Sequence, residues 1–537
     1  MEQQQDLQKR LLLALVLSFA VFVLFDMFMP KTTKPIDSNK TVVAEQKTPT
    51  TISNQTPKAI TTQSTGAVQN IQTTTNAPVT TVKSLTTVTA DRFIFSIDEM
   101  GRVAQAKLLE DKYLVDGKQL ELFNPTWVRP LEIRFADIEL NKEALKVPYT
   151  TTSNAINLSN NQNSVTLTQK LSTTTVIKKL TFYQDGHYDI DIELTNPVQY
   201  FITTGQRPDA DHTRYMVVNG SMVRKSNSTT EVLEDGDVDE NTPTSFPNAK
   251  FASAFDRYYA SILYNFKTPL NVSVLRTKED NALLFVQGEQ KLSLHGYIGP
   301  KEYKVFQNIN PELTEAIGYG WFTFISKPLF SVLQWFHNLV GNWGWAIVLV
   351  ILLIKLILFP LSYKGMMSMQ KLKDLAPQMK EIKEKYGKDP QKMNAKMMEM
   401  YKKHGANPMG GCLPMILQIP VFFAIYRVLL NAVELQGAEW ILWITDLSLK
   451  DPFFVLPILM GISMWYQQRI TPNSMTDPMQ QKIFQWLPAI MTLFFVSFPA
   501  GLVLYWLVNN LLTIVQQFVI NSSYEKYKAT KAKEHKK

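Results

Sequence analysis

Residues 343–363 read WGWAIVLVILLIKLILFPLSY, and this stretch decides the architecture of the chain. At about 1.5 Å per helical residue it is long enough to cross a hydrocarbon core of ~30 Å. Its one charged residue, Lys355, lies twelve positions after Trp343 and eight before Tyr363. An ammonium in the middle of an apolar helix costs about 2.5–3.5 kcal/mol on insertion scales, so it must meet water or a polar partner. No other apolar segment offers a carboxylate at similar depth; Asp26, in the N-terminal segment, lies near its far end. Lys355 stands roughly 12 Å from the end of its helix that leads into a basic loop, somewhat far for its ammonium to snorkel to the headgroups. The reading is a hydrated cavity open to that side.

Working outward, four more apolar segments follow, Cys412–Leu430, Phe453–Tyr466, Ile483–Phe498 and Pro499–Ile520, and one opens the chain at Leu11–Met29. Loop charges orient them. Residues 364–406 hold eleven lysines against five acids, and the tail after Asn521 holds six lysines against two. The loop 431–450 carries Glu434, Glu439 and Asp446 against Lys450. By the positive-inside rule this gives six spans with both termini in the cytoplasm and residues 31–342 outside. Lys9 and Arg10 ahead of the first segment, and Asp-Met-Phe-Met-Pro after it, mark an uncleaved anchor rather than a signal peptide. The net charge of +8 is thereby absorbed by membrane-flanking lysines and gives no nucleic-acid specificity.

Between the first two spans the pattern changes twice. Residues 31–90 contain 18 threonines and read as a flexible linker, because such a stretch buries too little apolar area to offset its ordering entropy. From residue 91 strands take over. In His187–Leu194 the residues Tyr188, Ile190, Ile192 and Leu194 alternate with His187, Asp189, Asp191 and Glu193, one face inward and one in water. Val176–Tyr183 precedes it across an Asp185-Gly186 turn. Arg92–Ile97, Leu131–Phe135, Ser164–Leu171 and Leu283–Val286 are further strands, and Gly205–Pro247 reads as long acidic loops. With Cys412 as the only cysteine, no disulfide within the chain holds this domain.

The expected organisation is therefore a multi-domain membrane protein. It comprises an N-terminal transmembrane anchor (1–30), the linker (31–90), an all-β sandwich-like domain (91–305), an interfacial amphipathic helix rich in aromatics (306–341), a five-helix transmembrane bundle (342–520) and a basic tail (521–537). The loop 364–406 forms a cytoplasmic helical hairpin broken at Gly387–Pro390, and its Met366, Met367, Met369, Met397 and Met398 suit a surface that receives varied apolar partners. Gln418, Tyr505 and Trp506 join Lys355 as candidate lining of the cavity.

Catalytic signatures are missing. There is no glycine-rich phosphate loop, the six histidines make no metal-ligand spacing, and neither a metal nor another cofactor is expected. A small-anion transporter or channel using Lys355 is the alternative reading, although no internal repeat supports it.

Several ordered motifs resemble the YidC family of membrane protein insertases in its full-length Gram-negative form. They are Asn342-Trp343-Gly344, Phe359-Pro360-Leu361, the run from Asn407 to Pro414, the run from Thr476 to Lys482, Phe498-Pro499-Ala500-Gly501-Leu502 and Tyr297-Ile298-Gly299-Pro300-Lys301. The resemblance implies an insertase and chaperone of the bacterial inner membrane, not an enzyme, with a periplasmic domain and a hydrophilic groove in the inner leaflet. Its implied partners are nascent integral membrane proteins, membrane lipids, the Sec translocation channel and ribosomes. The groove's positive charge falls on Lys355, where many members carry arginine, and a hydroxyl residue often found one turn earlier is here Ile351.

Overall fold

The computed structural model describes residues 83–534 apart from 116, 160–161, 212, 214–216, 239–243, 388, 405–412 and 472–477. The expected N-terminal anchor, most of the threonine-rich stretch read as a linker, and Cys412 lie outside the described residues.

The β domain begins earlier than the sequence reading placed it. Ser84–Thr89, counted there as linker, is a strand paired antiparallel with Phe93–Asp98. Thr86 and Val88 are fully buried on its inner face, since β-branched residues in alternation fill a sheet core whatever the composition of their surroundings. A four-stranded sheet runs in the order Val103–Leu108, Phe93–Asp98, Ser84–Thr89, Ala155–Asn157, the last pair being parallel. Facing it is a thirteen-stranded sheet whose centre runs Tyr259–Tyr264, Lys291–Pro300, His187–Leu194, Thr175–Tyr183 and Gln162–Lys170. The two share one core, in which Phe95, Ile97 and Val103 meet Leu180, Phe182 and Ile190. The alternation in His187–Leu194 holds in full, and Gly186 takes the left-handed turn (φ 91°) before it. Two expectations are corrected. Residues 205–247 contain the strand pair Gly220–Lys225 and Thr230–Glu234, not loops alone, and a short helix, α1 (Ile138–Ala144), interrupts the all-β pattern.

The same alternation turns a lysine inward. Lys178 shares its face with Val176, Leu180 and Phe182, is fully buried, and donates to Gly101 O at 3.1 Å and Leu131 O at 2.8 Å. Burial pushes its pKa down to about 7, against the upward pull of Asp98 and Glu132. A folded pKa below the unfolded value means that the unfolded chain binds more protons between about pH 7 and pH 10.5. The stability contribution of this group therefore rises with pH through that window, by at most about 1.4 kcal/mol per unit. Lys178→Met should flatten this rise. Thermal unfolding of the two proteins at pH 7 and pH 10 checks it, and an unchanged pH difference would contradict it.

The helices begin with α2 (Tyr303–Ile309) and α3 (Thr323–Val340), separated by 3-10 turns through Pro311–Ile317. The expected helix over 306–341 is thus two pieces, because Pro311 and the left-handed Gly318 and Gly320 interrupt it. α3 buries Phe330 and Leu333 and exposes Phe324 (75%), Trp335 (60%) and Leu339 (67%) on one face.

Seven helices complete the described chain: α4 (Trp343–Asp374), α5 (Ala376–Tyr386), α6 (Pro390–Lys403), α7 (Leu413–Asn431), α8 (Val455–Ile470), α9 (Pro478–Phe495) and α10 (Ala500–Glu534). Among the described residues α4 and α10 are long and apolar enough to cross a membrane on length and composition alone; α7 and α9 carry shorter apolar stretches. With α8 they pack as one body around Ile347, Val350, Val428, Met460, Phe495 and Val503.

Domain and bundle are joined by the end of α7 and the loop after it. Arg257 donates to Leu430 O at 2.7 Å, and Tyr259 donates to Gln436 Oε1 at 2.9 Å. Glu434 accepts from Tyr303 N at 2.9 Å, and burial raises its pKa to about 7. Glu302 gathers Arg92 (2.7 Å), Lys112 (2.9 Å) and the Tyr113 hydroxyl (3.1 Å) beside it. The apolar core is continuous across the junction, from Phe255 and Tyr297 through Phe306 and Ile317 to Phe330.

Candidate functional site

α4 starts where its sequence can cap it. Asn342 accepts from Trp345 N at 3.1 Å, and its amide donates to the carbonyls of Glu439 and Trp440. Gly344 lets Trp440 lie against the first turn. At the same end of the bundle, the first N–H groups of α10 are taken up by that same loop before α8, Ala500 N by Leu449 O and Gly501 N by Leu447 O. These contacts fix α4 and α10 side by side.

On α10 the residues Tyr505, Asn509 and Thr513 recur every fourth position and so share one face, which looks toward α4. Between them lies a pocket of about 450 Å3, its open mouth included. Ile351, Ile354, Leu358, Leu361 and Val421 form its apolar wall, and Lys355, Ser362, Gln418, Tyr505 and Asn509 its polar one. Lys355 Nζ donates to Thr513 Oγ1 at 2.7 Å, and Gln418 Nε2 donates to Asn509 Oδ1 at 3.0 Å. Among the described residues no carboxylate pairs with Lys355. Leu356 and Ile357 on its other side are 63% and 67% exposed, which marks the outward face of the helix.

Lys355, Gln418 and Tyr505 are thus brought together as the sequence suggested. Trp506 is not. One residue on from Tyr505 it is turned about 100° away, and it packs on Phe422 at 5.1 Å and Phe495 at 5.5 Å, inside the bundle. Reading Tyr505 and Trp506 as joint lining ignored that neighbours on a helix do not share a face. Ser362 and Thr513 were missed. The four-residue recurrence on α10 was the available signal, and it runs on through Gln517 to Asn521, which accepts from Gln517 at 2.6 Å.

The expected hairpin is also redrawn. α4 does not stop at Tyr363 but continues to Asp374, so Met366, Met367 and Met369 lie on its extension and are half-buried there. Nothing in residues 364–374 breaks a helix, and Tyr524 and Lys528 of α10 hold Asp374 at 2.9 Å each. The hairpin proper is α5 and α6. Met400 is buried with Leu372 and Leu375, with Met379 packed beside it, and Tyr401 donates to Met379 Sδ at 3.6 Å. Met397 is half-buried and Met398 is 51% exposed.

Two family models match the chain: a 60Kd inner membrane protein over residues 335–528 and a YidC periplasmic domain over residues 85–332. The chain is 47% identical to a membrane protein insertase YidC of Campylobacter jejuni, over 99% of its own length and 97% of the relative's. It is 45% identical to a protein of the same description from Wolinella succinogenes, over 98% and 97%. A third, from Helicobacter pylori, is 45% identical over 98% of each chain.

Proposed function

The chain belongs to the YidC family of membrane protein insertases, and from that premise we propose that it inserts and helps fold integral membrane proteins by offering their polar flanks the pocket around Lys355. The observation that carries the reading is a cation in an otherwise apolar helix, lining a pocket with polar side chains and with no carboxylate partner among the described residues. Such a site lowers the desolvation cost of bringing a client's polar or acidic segment part-way into the bilayer. The work is done by position and charge, without nucleotide hydrolysis, bond-making chemistry, a metal or another cofactor.

The topology that goes with this reading has six spans, both termini in the cytoplasm and the β domain in the periplasm. The pocket then opens toward the cytoplasmic leaflet. On that side α5 and α6, with the exposed Met398, offer a first docking surface for a client's apolar segment. The aromatic face of α3 rests on membrane lipids. Helix length supports a second contribution. α8 has 16 residues and α9 has 18, so they reach only about 24 and 27 Å against a ~30 Å core, which favours local thinning. The Sec translocation channel and ribosomes are further partners in this proposal.

Photocrosslinking tests it. A benzophenone side chain placed at Gln418 or Val421 should capture a stalled nascent membrane protein, and one placed at Trp506 should not. Absence of adducts from both pocket positions, together with a chloride or phosphate flux in proteoliposomes, would favour a small-anion carrier instead.

A further inference from the structure

A lysine is a poor fixture for a groove. Its four-carbon stem is flexible, and from part-way along a helix the ammonium gains by sliding up to the headgroups. Something must hold Lys355 in the pocket, and it must do so without cancelling the charge. On α4 itself the position one turn earlier is Ile351, which is buried and has no polar group. The holder comes from the opposite helix.

We infer that Thr513 is the positioning residue for Lys355: its hydroxyl, fixed by its own helix, anchors the ammonium in the pocket as a neutral acceptor and leaves the charge free for a client's carboxylate. Thr513 Oγ1 donates to Asn509 O, one turn back on α10, at 2.7 Å. With its proton committed there, its lone pairs accept from Lys355 Nζ at 2.7 Å. The polarity of the contact is therefore set by the backbone of α10. A carboxylate at this place would form an ion pair and neutralise the site, whereas a hydroxyl leaves the full positive charge with two N–H donors unspent. Asn509, whose carbonyl fixes Thr513, also accepts from Gln418 through its side chain at 3.0 Å. One residue thus ties the lysine's holder to the third wall of the pocket. Thr513 stands just outside the residues that line the pocket and acts through Lys355 rather than by touching the client.

This rests on the proposal that Lys355 meets client carboxylates, and a double-mutant cycle separates the two ideas. The full chain is reconstituted in liposomes, and insertion is measured for a client with an acidic flank and for the same client with that flank made neutral. Lys355→Gln alone should slow the acidic client; if it does not, the underlying reading of the groove fails. Given that loss, Thr513→Val should slow the acidic client by about tenfold or more, the size expected for losing a hydrogen bond to a charged group. It should leave the neutral client unchanged, and Thr513→Ser should restore the rate. In the Lys355→Gln background Thr513→Val should have no further effect. An unchanged acidic client in Thr513→Val, or an equal loss in both backgrounds, overturns the positioning role. Loss of activity in Thr513→Ser as well as in Thr513→Val would do the same, since it indicates a packing requirement for the methyl and not for the hydroxyl.

Discussion

Lys355→Glu is expected to stop the insertion of clients with acidic flanking segments, while Lys355→Arg retains it. Two unit charges about 4 Å apart interact by roughly 4 kcal/mol at an effective dielectric of 20. Removing the ammonium forfeits that attraction, and a carboxylate at the same place replaces it with repulsion. The expected order is therefore Lys and Arg together, then Gln or Ala, then Glu, with the last at least about a hundredfold slower than the first. Clients with neutral flanks should respond little, because the apolar contacts along the bundle are untouched. Arginine is tolerated because the partner in the pocket is a single hydroxyl, Thr513, which requires no bidentate geometry. Insertion rates for paired acidic and neutral clients check the order. Equal rates for the unsubstituted chain and Lys355→Glu would remove the electrostatic role altogether.

Gly344→Leu should fail in a different way. A Cβ at Gly344 would lie 2.1 Å from Trp440 Cδ1 and 2.8 Å from Trp440 Cβ, so the indole cannot simply swing aside. The clash comes where Asn342 clamps the same loop through the carbonyls of Glu439 and Trp440. Either α4 moves outward along its axis or the loop leaves it. Overpacking of this kind costs about 1–3 kcal/mol for an added methylene or two, and a leucine adds more. The expected result is a marked fall in thermal stability in detergent and in the amount of protein held in the membrane. Any residual insertion should be reduced for acidic and neutral clients alike, unlike the client-selective loss at Lys355. Gly344→Ala should lie between. Wild-type melting behaviour of Gly344→Leu would mean that the loop yields at no cost.

Much of this architecture was legible in the chain itself. The alternation in His187–Leu194 gave the strand and its inner face residue by residue, because a sheet with one buried side imposes a period of two. The apolar runs after Trp343 gave five helices, because helical backbone satisfies its own polar groups wherever lipid replaces water. Lys355 announced a polar site by its cost. Boundaries were harder. The start of the β domain at Ser84 was hidden by threonine-rich composition, and the extension of α4 to Asp374 by the change from apolar to polar residues, which alters what a helix faces but does not end it.

The sequence by itself determined which segments form long apolar helices, which face of His187–Leu194 turns inward, and that one cation had to be accommodated. Those follow from local composition and period. Only the tertiary structure decided what stands opposite that cation. Thr513 lies 158 residues from Lys355 along the chain, and no local rule links them. They meet because α4 and α10 are pinned in register by contacts elsewhere, at Trp440, Leu447 and Leu449. The same packing turned Tyr505 into the pocket and Trp506 into the core, a choice between adjacent residues that depends on the rotation of a helix about its axis.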